Sequence, residues 1–151
     1  MSFQEKNIAV SLGSFSLILL VYIIRLLQIS QDGLLEPVSV FRLWGLIIVL
    51  SIVFTIIASI LTHIISTIIQ VVKTGEQEPK IEDIKDERDE LIDLKGTKIA
   101  YLISSIGGFL AMLTFVIGQP PIIMFSLLIL FGLMAQIIGD LSRMILYRKG
   151  I

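Results

Sequence analysis

Hydroxyl and amide side chains recur along one long apolar stretch of the sequence, and they could line a path for a polar solute. Residues separated by three or four positions share one face of a helix. Such a stripe can border a water-filled groove, but small hydroxyl residues also allow close helix packing or bond to carbonyls of their own helix. We favour the packing role and keep the path as the alternative. The stripe consists of Ser51, Thr55, Ser59, Thr62, Ser66 and Gln70, with His63 beside it.

His63 is the only histidine of the chain. An unperturbed imidazole titrates near neutral pH, so a pH-sensing role is open to it. A single histidine on an apolar helix is more commonly a hydrogen-bonded packing residue, and packing is the role that we expect.

The segment 73–98 is the one sizeable polar part of the sequence, with six basic and nine acidic residues and therefore a net charge of −3. From Lys80 onward it predicts an amphipathic helix with a narrow apolar stripe and an acidic back. The apolar stripe could lie on the membrane surface or against the inner ends of the bundle, or it could pair with another chain. A solvated helix is the third alternative, because acidic residues four positions apart repel one another. The acidic back is the surface on which we expect a cytoplasmic protein partner to dock, through Asp86, Glu87, Arg88, Asp89 and Glu90.

Catalytic and cofactor chemistry finds little support in the residues. The chain has no cysteine, and it lacks a nucleophile elbow, a phosphate loop and a zinc-type histidine pair. The acidic run lacks the glycine turn and the alternating spacing of a calcium loop. We therefore expect no enzyme activity, no cofactor and no metal site. The net charge of −1 argues against a nucleic-acid partner.

The elements that must position these residues are membrane spans. The chain is 55% hydrophobic and 17% charged, with a mean hydropathy of +0.93. A helix needs roughly 20 apolar residues to cross a bilayer. The sequence predicts one transmembrane domain over residues 1–151, with a tight turn at Gly118-Gln119-Pro120-Pro121. Its four spans are expected at about 7–27, 42–72, 97–118 and 122–147.

The distribution of Lys and Arg predicts the orientation. Ten of these cations flank the ends of the spans on the side of both termini, and two, Arg25 and Arg42, lie on the other side. Because cytoplasmic loops carry the excess of positive charge, both termini are predicted to be cytoplasmic, in the cell (inner) membrane. The predicted fold is an all-α, antiparallel bundle of four transmembrane helices, with a cytoplasmic amphipathic helix between the second and third spans.

The remaining charged residues near the membrane lie at span ends. Arg25, Arg42 and Asp140 are expected to anchor the helices at the interface, where long side chains reach the headgroups. Asp140 and Arg143 are three residues apart and can pair locally on one helix face. Small residues in the third and fourth spans indicate close helix contacts, either within the bundle or between the subunits of a homo-oligomer.

The run Asp86-Glu87-Arg88-Asp89-Glu90-Leu91-Ile92, followed by Leu94–Tyr101, resembles a stretch of small, uncharacterised four-span membrane proteins of bacteria and archaea. In that family, a DERD-type run leads into the third span through a junction such as Lys95-Gly96-Thr97-Lys98-Ile99. The specific part of the resemblance covers about 16 residues. Such proteins are often encoded beside small helix-turn-helix regulators, so the resemblance implies a role in sensing or regulation and no catalytic residues.

Two functions follow as hypotheses. The first is a non-enzymatic membrane accessory or regulatory protein that docks a cytoplasmic partner through the acidic helix. The alternative is an oligomeric small channel or transporter that uses the polar stripe of the second span.

Overall fold

The computed structural model describes residues 3–31, 36–74 and 87–149, and its regular structure there is four α-helices. They are α1 (Phe3–Gln31), α2 (Pro37–Thr74), α3 (Glu87–Val116) and α4 (Pro121–Lys149). The helical part of α2 includes positions whose side chains are not described. Four predicted site residues are among these positions, namely Thr62, His63, Ser66 and Gln70. A fifth, Asp86, lies outside the described residues altogether.

Each helix is long and apolar enough to cross a membrane, which confirms the prediction of four spans. The segments that meet this criterion are Gln4–Gln31, Pro37–Leu61, Glu87–Val116 and Pro121–Lys149. Their outward side chains are mostly large and apolar, as lipid contact requires. The chain is therefore a multi-pass membrane protein.

The turn between α3 and α4 lies where the sequence predicts it. Gly118 has a φ of +87°, a left-handed conformation that glycine adopts without steric cost. The amide of Gln119 donates to the carbonyl of Thr114, and the amide of Gly118 donates to that of Phe115. These two bonds form a Schellman cap, which satisfies carbonyls at the end of α3. Pro121 then opens α4 at a position where no backbone donor is needed.

The start of α3 overlaps the segment in which the sequence predicts an amphipathic helix. From Glu87 onward, the acidic residues belong to the same continuous helix as the third span. No proline interrupts this stretch, and Gly96 alone is too weak a breaker to end a helix. The first part of the expected amphipathic helix, residues 80–86, lies outside the described residues.

An apolar core joins α1, α2 and α4. Its buried members are Ile18 and Tyr22 of α1, Leu43 and Ile47 of α2, and Leu133 of α4. The Tyr22 hydroxyl donates to the carbonyl of Ser126 at 2.8 Å, which ties α1 to the first part of α4. A buried phenol needs such a partner. Because this bond joins one point on each helix, it also fixes the position of α1 along the axis of α4.

The helix α3 packs chiefly on α4, and small residues allow the two backbones to approach. A Cβ atom on Gly96 or Gly107 would overlap the side chain that faces it. The end of this helix pair that contains Glu87 and Lys149 is called the polar end below, and the opposite end is called the hairpin end. From the polar end to the hairpin end, the facing pairs are Gly96 and Arg143, Ala100 and Gly139, and Gly107 and Phe131.

Candidate functional site

A buried ion pair on α4 forms the centre of the polar end. Asp140 is only 3% exposed, and one of its oxygens accepts a hydrogen bond from Nη1 of Arg143 at 2.7 Å. Its other oxygen accepts from the Ser11 hydroxyl at 2.6 Å and from the Gln136 amide at 3.2 Å. The carboxylate is thus paired and hydrogen-bonded, as a buried charge must be. Asp140 lies inside the bundle and does not serve as an interfacial anchor.

Arg143 connects α4 to α3. Its Nη2 donates to the Thr97 hydroxyl at 2.8 Å, and its Nε lies 2.8 Å from a carboxylate oxygen of Asp93. The Nε–H is not aligned for a hydrogen bond with that oxygen, so the Asp93 contact is an ion pair without the added directional bond. The guanidinium reaches these partners by passing over Gly96, where any larger residue would collide with it.

A second polar contact lies further toward the end of the bundle. The Tyr147 hydroxyl donates to the Asp89 carboxylate at 2.7 Å, and Arg88 donates to the Tyr147 carbonyl at 3.3 Å. Together with the Arg143 contacts, these bonds join the first turns of α3 to the last turns of α4.

Several of these groups border a cavity of about 490 Å³ that has walls from all four helices. Its volume is within the range of small-molecule sites in proteins, about 300–1,000 Å³. The formal charge of the described lining is −2, from three carboxylates and one guanidinium. The charged groups are Asp89, Asp93, Asp140 and Arg143.

Most of the remaining lining side chains are uncharged polar or aromatic ones. Hydroxyls and amides come from α1 and α2, and rings come from α1, α2 and α4. The lining includes Gln4, Asn7, Ser11, Ser14, Thr55 and Ser59 among the former, and Phe15, Phe54 and Tyr147 among the latter. Phe15 also packs against the apolar core, so the cavity ends where that core begins.

The described residues of the predicted polar stripe divide into two groups. Thr55 and Ser59 line the cavity, whereas Ser51 is not among its lining residues. The Ser51 hydroxyl donates to the carbonyl of Ile47, and the Thr55 hydroxyl donates to that of Ser51. Both bonds span four residues of α2, as expected for hydroxyls that bond within their own helix. Thr55 therefore bonds within its own helix and also lines the cavity.

The predicted docking residues also divide. Asp89 and Arg88 are engaged with Tyr147, so these two side chains stabilise the contact between α3 and α4. Glu87 and Glu90 are exposed. No group of three or more potential ligands that could hold a metal ion occurs in the described parts of the chain.

The sequence also contains a signal for the cavity in its first and fourth spans. On α4, Gln136, Asp140, Arg143 and Tyr147 follow one another at steps of four, three and four, which places them on one face. On α1, the polar residues Gln4, Asn7, Ser11 and Ser14 follow at steps of three, four and three. Two polar stripes on separate spans indicate that both face a common polar interior, because neither can face lipid.

No family model matches the chain, and no curated protein or solved structure matches it. The resemblance to small four-span proteins therefore stays a prediction.

Proposed function

We propose that this chain is a non-enzymatic solute-binding protein of the cell membrane, of the transporter class, whose ligand is a small organic cation held in the polar cavity. The carrying observation is the formal charge of −2 on the lining of a partly open cavity of about 490 Å³. A cleft lined mostly by one sign of charge concentrates ions of the opposite sign. The rings of Phe15, Phe54 and Tyr147 add faces on which an ammonium group can rest.

The proposed topology is an antiparallel bundle with the polar end and both termini in the cytoplasm. Its support is the reversed order of the α3 and α4 contacts and the excess of Lys and Arg beside the polar end. The cavity would then lie near the cytoplasmic side of the bundle. Because the apolar core lies beyond Phe15, passage of a solute would require that core to rearrange, which favours a transporter over an open channel.

The cation proposal is tested by calorimetry of tetraethylammonium binding to the purified full chain in detergent. Binding of acetate, measured at the same ionic strength, is the comparison with an anion. Asp93→Asn removes a cavity charge at a half-exposed position. At about 6 Å and an effective dielectric constant of about 20, a carboxylate attracts an ammonium group by about 3 kcal/mol. Exposure reduces this to about 1 kcal/mol, so we expect about fivefold weaker binding.

Glu90→Gln is the matched control, since Glu90 is an acidic residue of the same helix that does not line the cavity. It should bind tetraethylammonium as the unmodified chain does. Binding of acetate as strong as that of tetraethylammonium, or an Asp93→Asn variant with unchanged affinity, would contradict the cation proposal.

Transport is tested by uptake of tetraethylammonium into liposomes that contain the full chain. Thr55→Val and Ser59→Ala remove hydroxyls from the cavity wall, and Ser51→Ala removes a hydroxyl of the same stripe that does not line the cavity. We expect slower uptake with the first two variants and unchanged uptake with the third. Equal uptake by all three would exclude the proposed path.

Docking of a cytoplasmic protein partner is the second candidate, and it is supported by the exposure of Glu87 and Glu90 on the first turn of α3. Charge reversal of both residues should abolish recovery of a partner that the unmodified chain retains. Lys98→Glu, a charge reversal at another exposed position of α3, is the control. Partner recovery that persists after reversal at Glu87 and Glu90 would remove this candidate.

Self-association through small residues is part of the same proposal. The Cβ positions of Gly108 and Gly132 have no neighbouring atom within 4 Å, so a second chain could approach the helices there. Crosslinking in native membranes should give dimers that Gly108→Leu and Gly132→Leu prevent, and dimers retained by both variants would place the contact elsewhere.

A further inference from the structure

A groove with two arginines lies between the last turns of α1 and the first turns of α2. Its volume is about 340 Å³, and its polar lining is Arg25 and Gln28 from α1 with Ser39 and Arg42 from α2. Ile29 and Leu46 contribute apolar surface to the same groove. The formal charge of the described lining is +2, opposite in sign to that of the cavity at the polar end.

The groove lies near a cluster of aromatic rings. It is at the hairpin end, where Phe41 and Trp44 of α2 meet Phe125 near the start of α4. The Trp44 ring is 5.7 Å from each of the two phenylalanine rings, and both pairs are edge to face. Tryptophan is enriched at the level of the lipid headgroups, so the neighbouring guanidiniums are placed where headgroup phosphates lie.

We propose that the groove binds the phosphate group of an anionic phospholipid from the leaflet at the hairpin end. A guanidinium presents its donors in a planar fork that matches phosphate oxygens. Nη1 of Arg25 donates to Oε1 of Gln28 at 3.3 Å, which holds this guanidinium at the groove and leaves its other donors for a ligand. The Gln28 amide and the Ser39 hydroxyl supply further donors.

The apolar side of the groove favours a lipid over a soluble anion. Ile29 and Leu46 lie beside the arginines, where they can contact the glycerol and first acyl carbons of a lipid bound by its phosphate. A zwitterionic headgroup would bring an ammonium group beside two guanidiniums. None of the described residues that line the groove carries a carboxylate to receive that ammonium, so the groove should select anionic lipids.

The test is native mass spectrometry of the full chain released from detergent with equal amounts of dioleoyl phosphatidylglycerol and dioleoyl phosphatidylcholine. We expect the complex with one phosphatidylglycerol to be about tenfold more abundant than the complex with one phosphatidylcholine. The reason is that each cation at the surface strengthens anionic lipid binding several-fold. Arg25→Gln with Arg42→Gln should remove the preference. Arg148→Gln, at an exposed position of α4 at the polar end, is the control that should retain it.

Thermal unfolding of each variant without added lipid verifies the fold, and both arginines are exposed, so the melting temperature should not change. A third arm adds inorganic phosphate and measures the melting temperature of the unmodified chain, with phosphatidylglycerol as the comparison. Equal binding of the two lipids, or a preference that survives loss of both arginines, would overturn the proposal. A stabilisation by inorganic phosphate equal to that by phosphatidylglycerol would also overturn it, because the occupant would then be a soluble anion.

Discussion

The pair formed by Asp140 and Arg143 can be tested by removing one charge at a time. Arg143→Met leaves Asp140, which is 3% exposed, with only the Ser11 hydroxyl and the Gln136 amide as partners. Removing one side of a buried ion pair costs about 3–5 kcal/mol, because the remaining charge has no counterion. We expect the free energy of unfolding to fall by this amount.

The opposite change should cost less. Asp140→Asn leaves Arg143 with the Asp93 carboxylate at 2.8 Å and the Thr97 hydroxyl at 2.8 Å, so its charge remains compensated. The expected loss is about 1–3 kcal/mol, from hydrogen bonds that a neutral amide makes less well. With both substitutions, no charge is left in the buried position. The double variant should therefore be more stable than the sum of the two losses implies, by about 2 kcal/mol.

The measurement is denaturant-induced unfolding in mixed micelles, followed by fluorescence. Trp44 is the single tryptophan, and it packs against Phe41 and Phe125 at the hairpin end, far from the substitutions. Arg148→Met removes an exposed arginine of the same helix and should change stability by less than about 0.5 kcal/mol. If Arg143→Met and Arg148→Met lose the same stability, or if the double variant is additive, the pair is not the buried junction described above.

Three further substitution experiments examine packing, a buried hydrogen bond and the turn. Gly107→Ala should lower the free energy of unfolding by about 1–3 kcal/mol, because the added Cβ collides with a ring of α4. Gly108→Ala places its Cβ in open space and should raise the free energy of unfolding by about 0.5–1 kcal/mol. The same micelle unfolding assay measures both, and equal effects would contradict the close approach of α3 and α4. Tyr22→Phe removes a buried hydrogen bond and should cost about 1 kcal/mol, whereas Tyr101→Phe, at a residue 70% exposed, should cost less than about 0.5 kcal/mol in that assay. Gly118→Ala should cost about 1–2 kcal/mol because its φ is +87°, and an unchanged midpoint would show that the turn does not need the left-handed conformation.

The membrane spans and the turn at Gly118 could be predicted because their causes are local. Span length follows from the thickness of the bilayer, and two prolines after a glycine interrupt a helix wherever they occur. The boundary between the acidic segment and the third span could not be placed in the same way. Polar composition alone predicts a change of environment near Lys95, but a helix continues across such a change when nothing in the backbone stops it.

The cavity could not be predicted from one helix at a time. Asp140 and Arg143 are compatible with a local pair at the membrane surface, and their spacing alone does not distinguish that arrangement from a buried one. Ser11, 129 residues away in sequence, decides between the two, since its hydroxyl bonds to Asp140 from α1. The polar stripes of α1 and α4 are visible in the sequence. Whether the two stripes face each other depends on tertiary packing.

The same contacts show why stability and ligand binding must be separated at this site. The Asp140–Arg143 pair bonds to α1 through Ser11 and to α3 through Thr97, so any variant that changes its charge also loosens the walls of the cavity. Asp93 lies at the edge of the pair, and its side chain is 54% exposed. After its removal, Arg143 keeps the Asp140 carboxylate at 2.7 Å as its counterion. Of the three carboxylates in the cavity lining, Asp89 bonds to Tyr147 and Asp140 holds the ion pair, so Asp93 is where a charge can be removed with the least structural cost. If Asp93→Asn binds the cation more weakly at an unchanged melting temperature, the loss is therefore due to the changed electrostatic potential of the cavity and not to a change in its shape.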